Sequence, residues 1–564
     1  MTARPCGGSD KKSARDAREP SDAREPSDAR DGSDARDQSD ARNGMSTRRA
    51  FLSDLGLGMT GMALGAMLAA DGVTRAAAGA EGAAGSTGAV GAVGAVGAVG
   101  AVGTSDADGA GGGPATAGSG ERLDYRPRVK SVIWVFLSGG YSHLETFDPK
   151  PALNKYAGLT FDKTPFDNPV HSPLQKKRFR SVAAEEINIR DVYPTIYPMQ
   201  VGWQAHGASR IEVTDWWPHL AGCVDDLCFV RNMWTTDNDH AAENQIHTGR
   251  HRLDEPQPSI GAWAHYGLGS FNDNLPKYVV LGGPTRSDTR QSIDANYLGP
   301  THTGVPLTLD PKNPLPFGQR PAKLAAEEQR REYEAIGRLN ALAAVEYPED
   351  EELRARIRAY ELAFRMQAAV PEAIDMAHET AATTKLYGLD QDATRVAGQR
   401  LLAARRLAER GVRFIQVFPS SYGVWDSHQK LKDNHTRLCG TIDKPIAGLI
   451  HDLKQRGLFD DVLVVFCTEF GRTPGLELRA GGKDGRDHHP NGFTIWLAGA
   501  GVKRGHVHGE TDELGYHALG AGHYVTDLHA TVLKLMGLDN RRLEIPGRKR
   551  LEIDFGRPID EILV

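Results

Sequence analysis

Four short apolar runs punctuate the second half of the chain: Ser131–Leu137, Val412–Phe418, Asp461–Cys467 and Phe493–Ala498. Each is rich in β-branched or aromatic residues and has the length of a buried strand. Between the second and third runs, Ile442, Ile446, Leu449, Ile450 and Leu453 fall on one face of a helix predicted over Thr441–Arg456, with Gly457 placed to end it. Strand, helix and strand in that order imply a parallel crossover. Residues 322–410 are alanine-rich and charged, which predicts a mostly helical segment that covers the sheet or forms an insertion. The pattern as a whole is that of an α/β domain with a mostly parallel central sheet and helices on both faces, from about residue 122 to the C-terminus.

The first 121 residues lack such a pattern. Residues 1–44 repeat Ser-Asp-Ala-Arg from Ser21, Ser27, Ser33 and Ser39 with almost no apolar side chains, a composition that cannot build a core. Residues 45–80 have the layout of a twin-arginine export signal. Arg48-Arg49 precede Phe51-Leu52 and a Gly/Ala-rich apolar run from Gly56 to Ala70, and alanine-rich cleavage sites lie near Ala76–Ala80. Met45 would then be the true start. The run is short, glycine-laden and preceded by Asp54, so a cleaved signal is favoured over a permanent span, and membrane contact is expected only through an uncleaved signal. Residues 81–121, with Gly-Ala-Val repeated from Gly88 to Gly103, read as a flexible linker. The twin-arginine translocase is thus an expected partner, and the expected location is periplasmic or otherwise extracytoplasmic.

Composition narrows the function. A net charge of -6 argues against a general nucleic-acid binder, which needs a concentrated positive field. The five cysteines, Cys6, Cys223, Cys228, Cys439 and Cys467, form no CxxC pair and no dense framework, which argues against a structural zinc knuckle. Cys223 and Cys228 are spaced for a bridge or for two buried thiols, and the second is favoured.

Chemistry-bearing residues gather at the strand ends, where ligands of parallel sheets bind. Ser138-Gly139-Gly140-Tyr141-Ser142-His143 and Glu145 follow the first run, and Trp425-Asp426-Ser427-His428 follow the second. Glu469-Phe470-Gly471-Arg472-Thr473-Pro474 follow the third, and Asp487-His488-His489-Pro490 stand just before the fourth. Carboxylates beside imidazoles suit a divalent metal, whether zinc, calcium, magnesium or manganese, in a hydrolytic centre. Arg250 and Arg472 are candidates for gripping an anionic group of a small ester or saccharide substrate.

From Trp134 onward these motifs resemble the bacterial family called domain of unknown function 1501, placed in the alkaline-phosphatase-like superfamily with sulfatases. The resemblance carries metal positions over to Asp426, His428, Glu469 and His488 or His489, with His143, Glu145 or Asp148 standing in for an aspartate that usually follows the first strand. It also exposes departures. Phe470 stands where a metal-binding histidine commonly follows the acidic residue. The sulfatase nucleophile motif is absent, and the comparable stretch, Thr235-Thr236-Asp237-Asn238-Asp239-His240, offers no serine, threonine or cysteine at the expected place. The resemblance therefore implies a metal-activated water, with His240 or a carboxylate as base and Asn238 as a further ligand or substrate contact. Two functions follow from this: a hydrolase of an anionic sulfate or phosphate ester, or an inactive envelope protein that binds a polyanion or glycan in the same cleft.

Overall fold

The computed structural model describes residues 123–167, 172–173, 195–269, 271–283, 287–315, 325–346, 351–478 and 484–564. The repeat, export-signal and linker expectations fall outside the described residues. The strands in chain order are β1 (Ser131–Phe136), β2 (Trp203–His206), β3 (Ile211–Thr214), β4 (Leu227–Trp234), β5 (Tyr278–Leu281), β6 (Val305–Leu307) and β7 (Phe414–Val417). They continue with β8 (Val462–Cys467), β9 (Gly471–Arg472), β10 (His488–His489), β11 (Phe493–Gly499), β12 (His506–His508) and β13 (His523–Tyr524). The central sheet runs β12-β4-β11-β8-β1-β7-β5-β6, with β13 also on β4, and two small hairpins pair β2 with β3 and β9 with β10.

All four expected strands form, and β7 and β8 flank β1 in parallel on either side, as the crossover requires. Among the described strands of this sheet β11 alone opposes the others, pairing antiparallel with both β8 and β4. That reversal has a functional consequence. The residues that precede β11 lie at the same edge of the sheet as the residues that follow β1, β7 and β8, so all four motif clusters meet there.

Alternation along the strands feeds two cores. Ile133 and Val135 of β1, with Val464 and Phe466 of β8, pack under the helices Asp392–Glu409 and Leu431–Gln455, represented by Leu402, Leu407, Ile446 and Leu449. Val132, Trp134 and Phe136 point the other way, with Leu463 and Val465, onto Ile260 and Trp263 and onto the closing helix Val525–Leu535 through Leu528 and Val532. The crossover helix begins ten positions before its predicted start, because Leu431, His435, Leu438 and Cys439 continue its buried face. β4 escaped the sequence pattern since Arg231 and Asn232 interrupt its apolar run, and β5 did so because it is only four residues long. The segment expected to be helical contains Ala326–Glu346, Glu351–Ile374, Ala381–Leu386 and Asp392–Glu409, and the last of these covers the sheet. Cys223, Cys228, Cys439 and Cys467 are all free and buried.

Two histidines of the second core set an acid limit on stability. His247 Nδ1 donates to the Glu243 carbonyl at 2.7 Å and His529 Nε2 to the Ile246 carbonyl at 2.8 Å, both beside Trp134. Burial pushes His247 from 6.5 down to about 3 and His529 down to about 4. Below pH 6.5 the unfolded chain therefore takes up protons that the folded chain refuses, and stability falls as pH drops toward those values. Chemical denaturation at pH 5 is expected to give about 2 kcal/mol less stability per histidine than at pH 7. Equal stability at the two pH values would show that these rings are not buried neutral.

Candidate metal centre

Asp426 organises the cluster at the strand ends. It stands in the loop between β7 and the crossover helix, and its Oδ1 lies 3.2 Å from His428 Nε2 and 3.1 Å from His488 Nε2. The two imidazole nitrogens are themselves 3.1 Å apart. Three donor atoms from two imidazoles and a carboxylate thus form a near-equilateral triangle. Ligands about 2.1 Å from one small divalent cation stand about 3.0 Å apart at octahedral angles and about 3.4 Å apart at tetrahedral ones, and the observed spacing falls between the two.

Protonation supports the fit. His488 Nδ1 donates to the Asn238 carbonyl at 2.5 Å. Burial, aided by the Arg472 charge, pushes His488 from 6.5 down to about 3, so the ring is neutral and its Nε2 carries a lone pair. That lone pair faces the carboxylate of Asp426, an acceptor against an acceptor, which only a shared cation or proton relieves. On its far side, His428 Nδ1 faces Glu477 Oε2 at 3.6 Å and Asp487 Oδ1 at 3.7 Å, carboxylates able to orient the ring. His428, Asp487 and His488 also bring their ligand atoms within 4.8 Å of one another.

His240 bridges the second side of Asp426. Its Nε2 is 3.2 Å from Asp426 Oδ2 and its Nδ1 is 3.1 Å from Glu469 Oε1. Burial opposes a charge on this ring, but the hydrogen bonds to Asp426 and Glu469 outweigh it and push the pKa up to about 9. Asp426 is likewise disfavoured by burial, yet Arg472, His240 and His488 hold its carboxyl far below the usual carboxylate range. Glu469 is fixed from the backbone, accepting from the Gly139 N–H at 2.7 Å and from Thr468 Oγ1 at 2.9 Å. Gly139 and Gly140 hold φ of +119° and +67°. A side chain at Gly139 would strike the backbone of Trp425 and Asp426, and one at Gly140 would strike the Phe470 ring, so glycine is required for this close approach.

The remaining candidates lie elsewhere or are already occupied. His488 and His489 are consecutive residues of β10, whose side chains point to opposite faces. His489 is buried against Tyr516, with its Nε2 hydrogen-bonded to the Tyr516 carbonyl, and does not join the triangle. His143 uses both nitrogens on backbone, donating to the Gly515 carbonyl at 2.8 Å and accepting from the Arg472 N–H at 3.4 Å. Glu145 pairs with Arg486, and Asp148 with Lys150 at 3.0 Å. None of the three supplies a carboxylate or imidazole in place of the missing aspartate. Arg250 is paired with Asp554. Arg472 is fully buried, and each of its three nitrogens donates to the protein: to the Gly140 carbonyl at 2.7 Å, the Arg486 carbonyl at 3.1 Å, and both the Gly139 carbonyl and Asp426 Oδ1. Its task is to hold Asp426 and the glycine turn. Asn238 reaches the cluster through its main-chain carbonyl. Phe470 packs its ring 4.4 Å from that of His488 and 5.6 Å from that of His240, filling space where the resemblance led one to look for a histidine. Sequence reasoning missed Glu477, which no motif marks, and named Asp487 within the cluster before the fourth run without giving it a place beside His428.

A family model described as Protein of unknown function (DUF1501) matches residues 129–563. The chain belongs to that family. No curated protein matches it in sequence. Among solved structures it is similar to the phosphonate monoester hydrolase SpPMH from Silicibacter pomeroyi, at 15% identity and a TM-score of 0.32, covering 62% of this chain and 71% of that one. It is also similar to the PsFucS1 sulfatase from Pseudoalteromonas sp., at 11% identity and a TM-score of 0.29, covering 78% and 72%. A third is alkaline phosphatase from the Antarctic bacterium TAB5, at 11% identity and a TM-score of 0.28, covering 74% and 99%. These likenesses are partial, and the chemistry of this DUF1501 member is carried by its own side chains. Among the described residues no helix is long and apolar enough to cross a membrane.

Proposed function

We propose that this DUF1501 chain is a metal-dependent hydrolase of an anionic ester, a sulfate or phosphate of a small molecule or saccharide, acting outside the cytoplasm after twin-arginine export. The observation that carries the reading is the triangle of Asp426 Oδ1, His428 Nε2 and His488 Nε2, with an acceptor facing an acceptor at its edge. Two imidazoles and one carboxylate suit zinc better than calcium or magnesium, which prefer all-oxygen sites. When bound, the cation supplies Lewis acidity toward the ester and toward water.

The surrounding residues fit water as the nucleophile. Ser138 Oγ donates to Glu243 at 2.8 Å and accepts from the Gly423 N–H at 2.9 Å, while Thr468 Oγ1 is shared between the Leu137 carbonyl at 2.7 Å and Glu469. Both hydroxyls are buried and already hydrogen-bonded on two sides. His240, held between two carboxylates, is placed to hold or pass a proton at Nε2, and Glu469 fixes that orientation through Nδ1. Arg472 positions Asp426 instead of binding substrate.

A second reading, an inactive binder of a polyanion or glycan, is favoured by the same committed hydroxyls and by Phe470 against His488. Turnover of aryl sulfates, phosphate monoesters and phosphodiesters by the zinc-loaded protein, abolished by chelation and restored by zinc, is the expected outcome. Tight glycan binding with no turnover under any divalent metal would establish the binder. The two adjacent histidines give an internal control. His488→Ala is expected to weaken zinc binding at this centre at least tenfold, and His489→Gln to leave it within about twofold, measured by competition with a chromophoric chelator. Equal losses in the two variants would overturn the ligand assignment.

A further inference from the structure

A second group of imidazoles lies at the sheet edge and shares no residue with the Asp426 centre. β12 and β13 both pair in parallel with the same edge of β4, placing His508 opposite Val230 and His523 opposite Met233. The end of one short strand therefore meets the start of the other. Their rings converge, with His508 Nε2 and His523 Nε2 only 2.9 Å apart. Glu561, in the turn Asp560–Ile562 near the C-terminus, brings a carboxylate oxygen within 4.8 Å of a ring nitrogen of each histidine.

The orientation of His523 is fixed from behind. Its Nδ1 lies 3.3 Å from Asp527 Oδ2, in the first turn of the helix Val525–Leu535. Asp527 is itself anchored, its Oδ1 accepting from the Arg557 N–H at 2.7 Å. With Nδ1–H donating to that carboxylate, His523 presents the Nε2 lone pair to His508. This is the carboxylate–histidine pairing that orients imidazoles toward metals. The nearby ammonium of Lys503 donates to the Glu561 main-chain carbonyl at 2.7 Å.

We propose that His508, His523 and Glu561 form a second site, for a zinc-class divalent cation, that ties the C-terminal turn to the outer edge of the sheet. Two imidazoles and a carboxylate from three separate segments suit zinc, with an open position left for water. Both rings are partly exposed and Glu561 is exposed, so the ion enters directly from solvent. Because the ligands come from three separate elements, binding stabilises the folded state by linkage.

Zinc titration of the chelator-stripped full chain, read by competition with a chromophoric chelator, tests this. Wild-type protein is expected to bind two zinc ions. The His508→Gln/His523→Gln double variant should lose one while keeping the ion that His488→Ala removes, and Glu561→Gln alone should weaken the edge site about tenfold. Two ions still bound by a folded double variant would overturn the proposal. One ion in the wild type, lost in His488→Ala but kept in the double variant, would overturn it as well. One ion lost in the double variant and kept in His488→Ala would uphold this site and refute the Asp426 centre. Should the double variant not fold, anomalous scattering at the zinc edge from wild-type crystals decides. Density between the two Nε2 atoms is expected, and its absence in zinc-saturated crystals refutes the site.

Discussion

Asp426→Asn is expected to reduce ester turnover at least about a thousandfold, because the Lewis acidity of a bound cation contributes several kcal/mol to the barrier and each 1.36 kcal/mol is a tenfold change. The asparagine is chosen over alanine for a structural reason. Its amide oxygen still accepts from Arg472 Nη2, a bond of 2.7 Å in the native chain, so the buried guanidinium keeps a partner and the fold survives. The anionic donor that faces both His428 and His488 is lost, and zinc should leave with it. Turnover and zinc content should therefore fall together while the near-UV circular dichroism stays native. Full activity in the zinc-free variant would mean that the triangle of Asp426, His428 and His488 has no part in the reaction.

Glu145→Ala should be the most destabilising change at the base of the site. Glu145 and Arg486 are both completely buried, with Arg486 Nη2 2.6 Å and Nε 3.1 Å from the carboxylate. Removing the carboxylate strands a guanidinium in the interior, which costs about 3–5 kcal/mol. Arg486 also donates to the carbonyls of Thr473 and Pro474 and, across the loop, to those of Tyr197 and Pro198, so it holds together the segments that carry Arg472 and His488. Zinc affinity is expected to drop along with stability, and Glu145→Gln, which retains an acceptor, should lose less of both. Urea denaturation of the three proteins checks the order. A Glu145→Ala protein as stable as the native chain would show that Arg486 finds another counter-charge.

The parallel sheet and the meeting of distant motifs were legible in the sequence because buried strands are long apolar runs and the clusters sit at their ends. Asp426, His428 and His488 followed directly from that logic. Which of two adjacent histidines would face the site did not, since it depends on β10 pairing with β9 in a register that sets His488 opposite Arg472. The sign of β11 was equally hidden. An apolar run carries no direction, and only pairing with β8 and β4 shows why the residues before this strand, instead of those after it, reach the active edge. Arginines misled for a related reason. Arg250 and Arg472 have the chemistry to grip an anion, but their availability depends on Asp554 and on the Gly139 and Gly140 carbonyls, partners that no local spacing reveals.

The most direct test of the metal centre is anomalous scattering at the zinc edge from crystals of the zinc-saturated protein. A peak bounded by Asp426 Oδ1, His428 Nε2 and His488 Nε2 is the expected result. The three side chains touching one another with no peak among them, in zinc-saturated crystals, would contradict it.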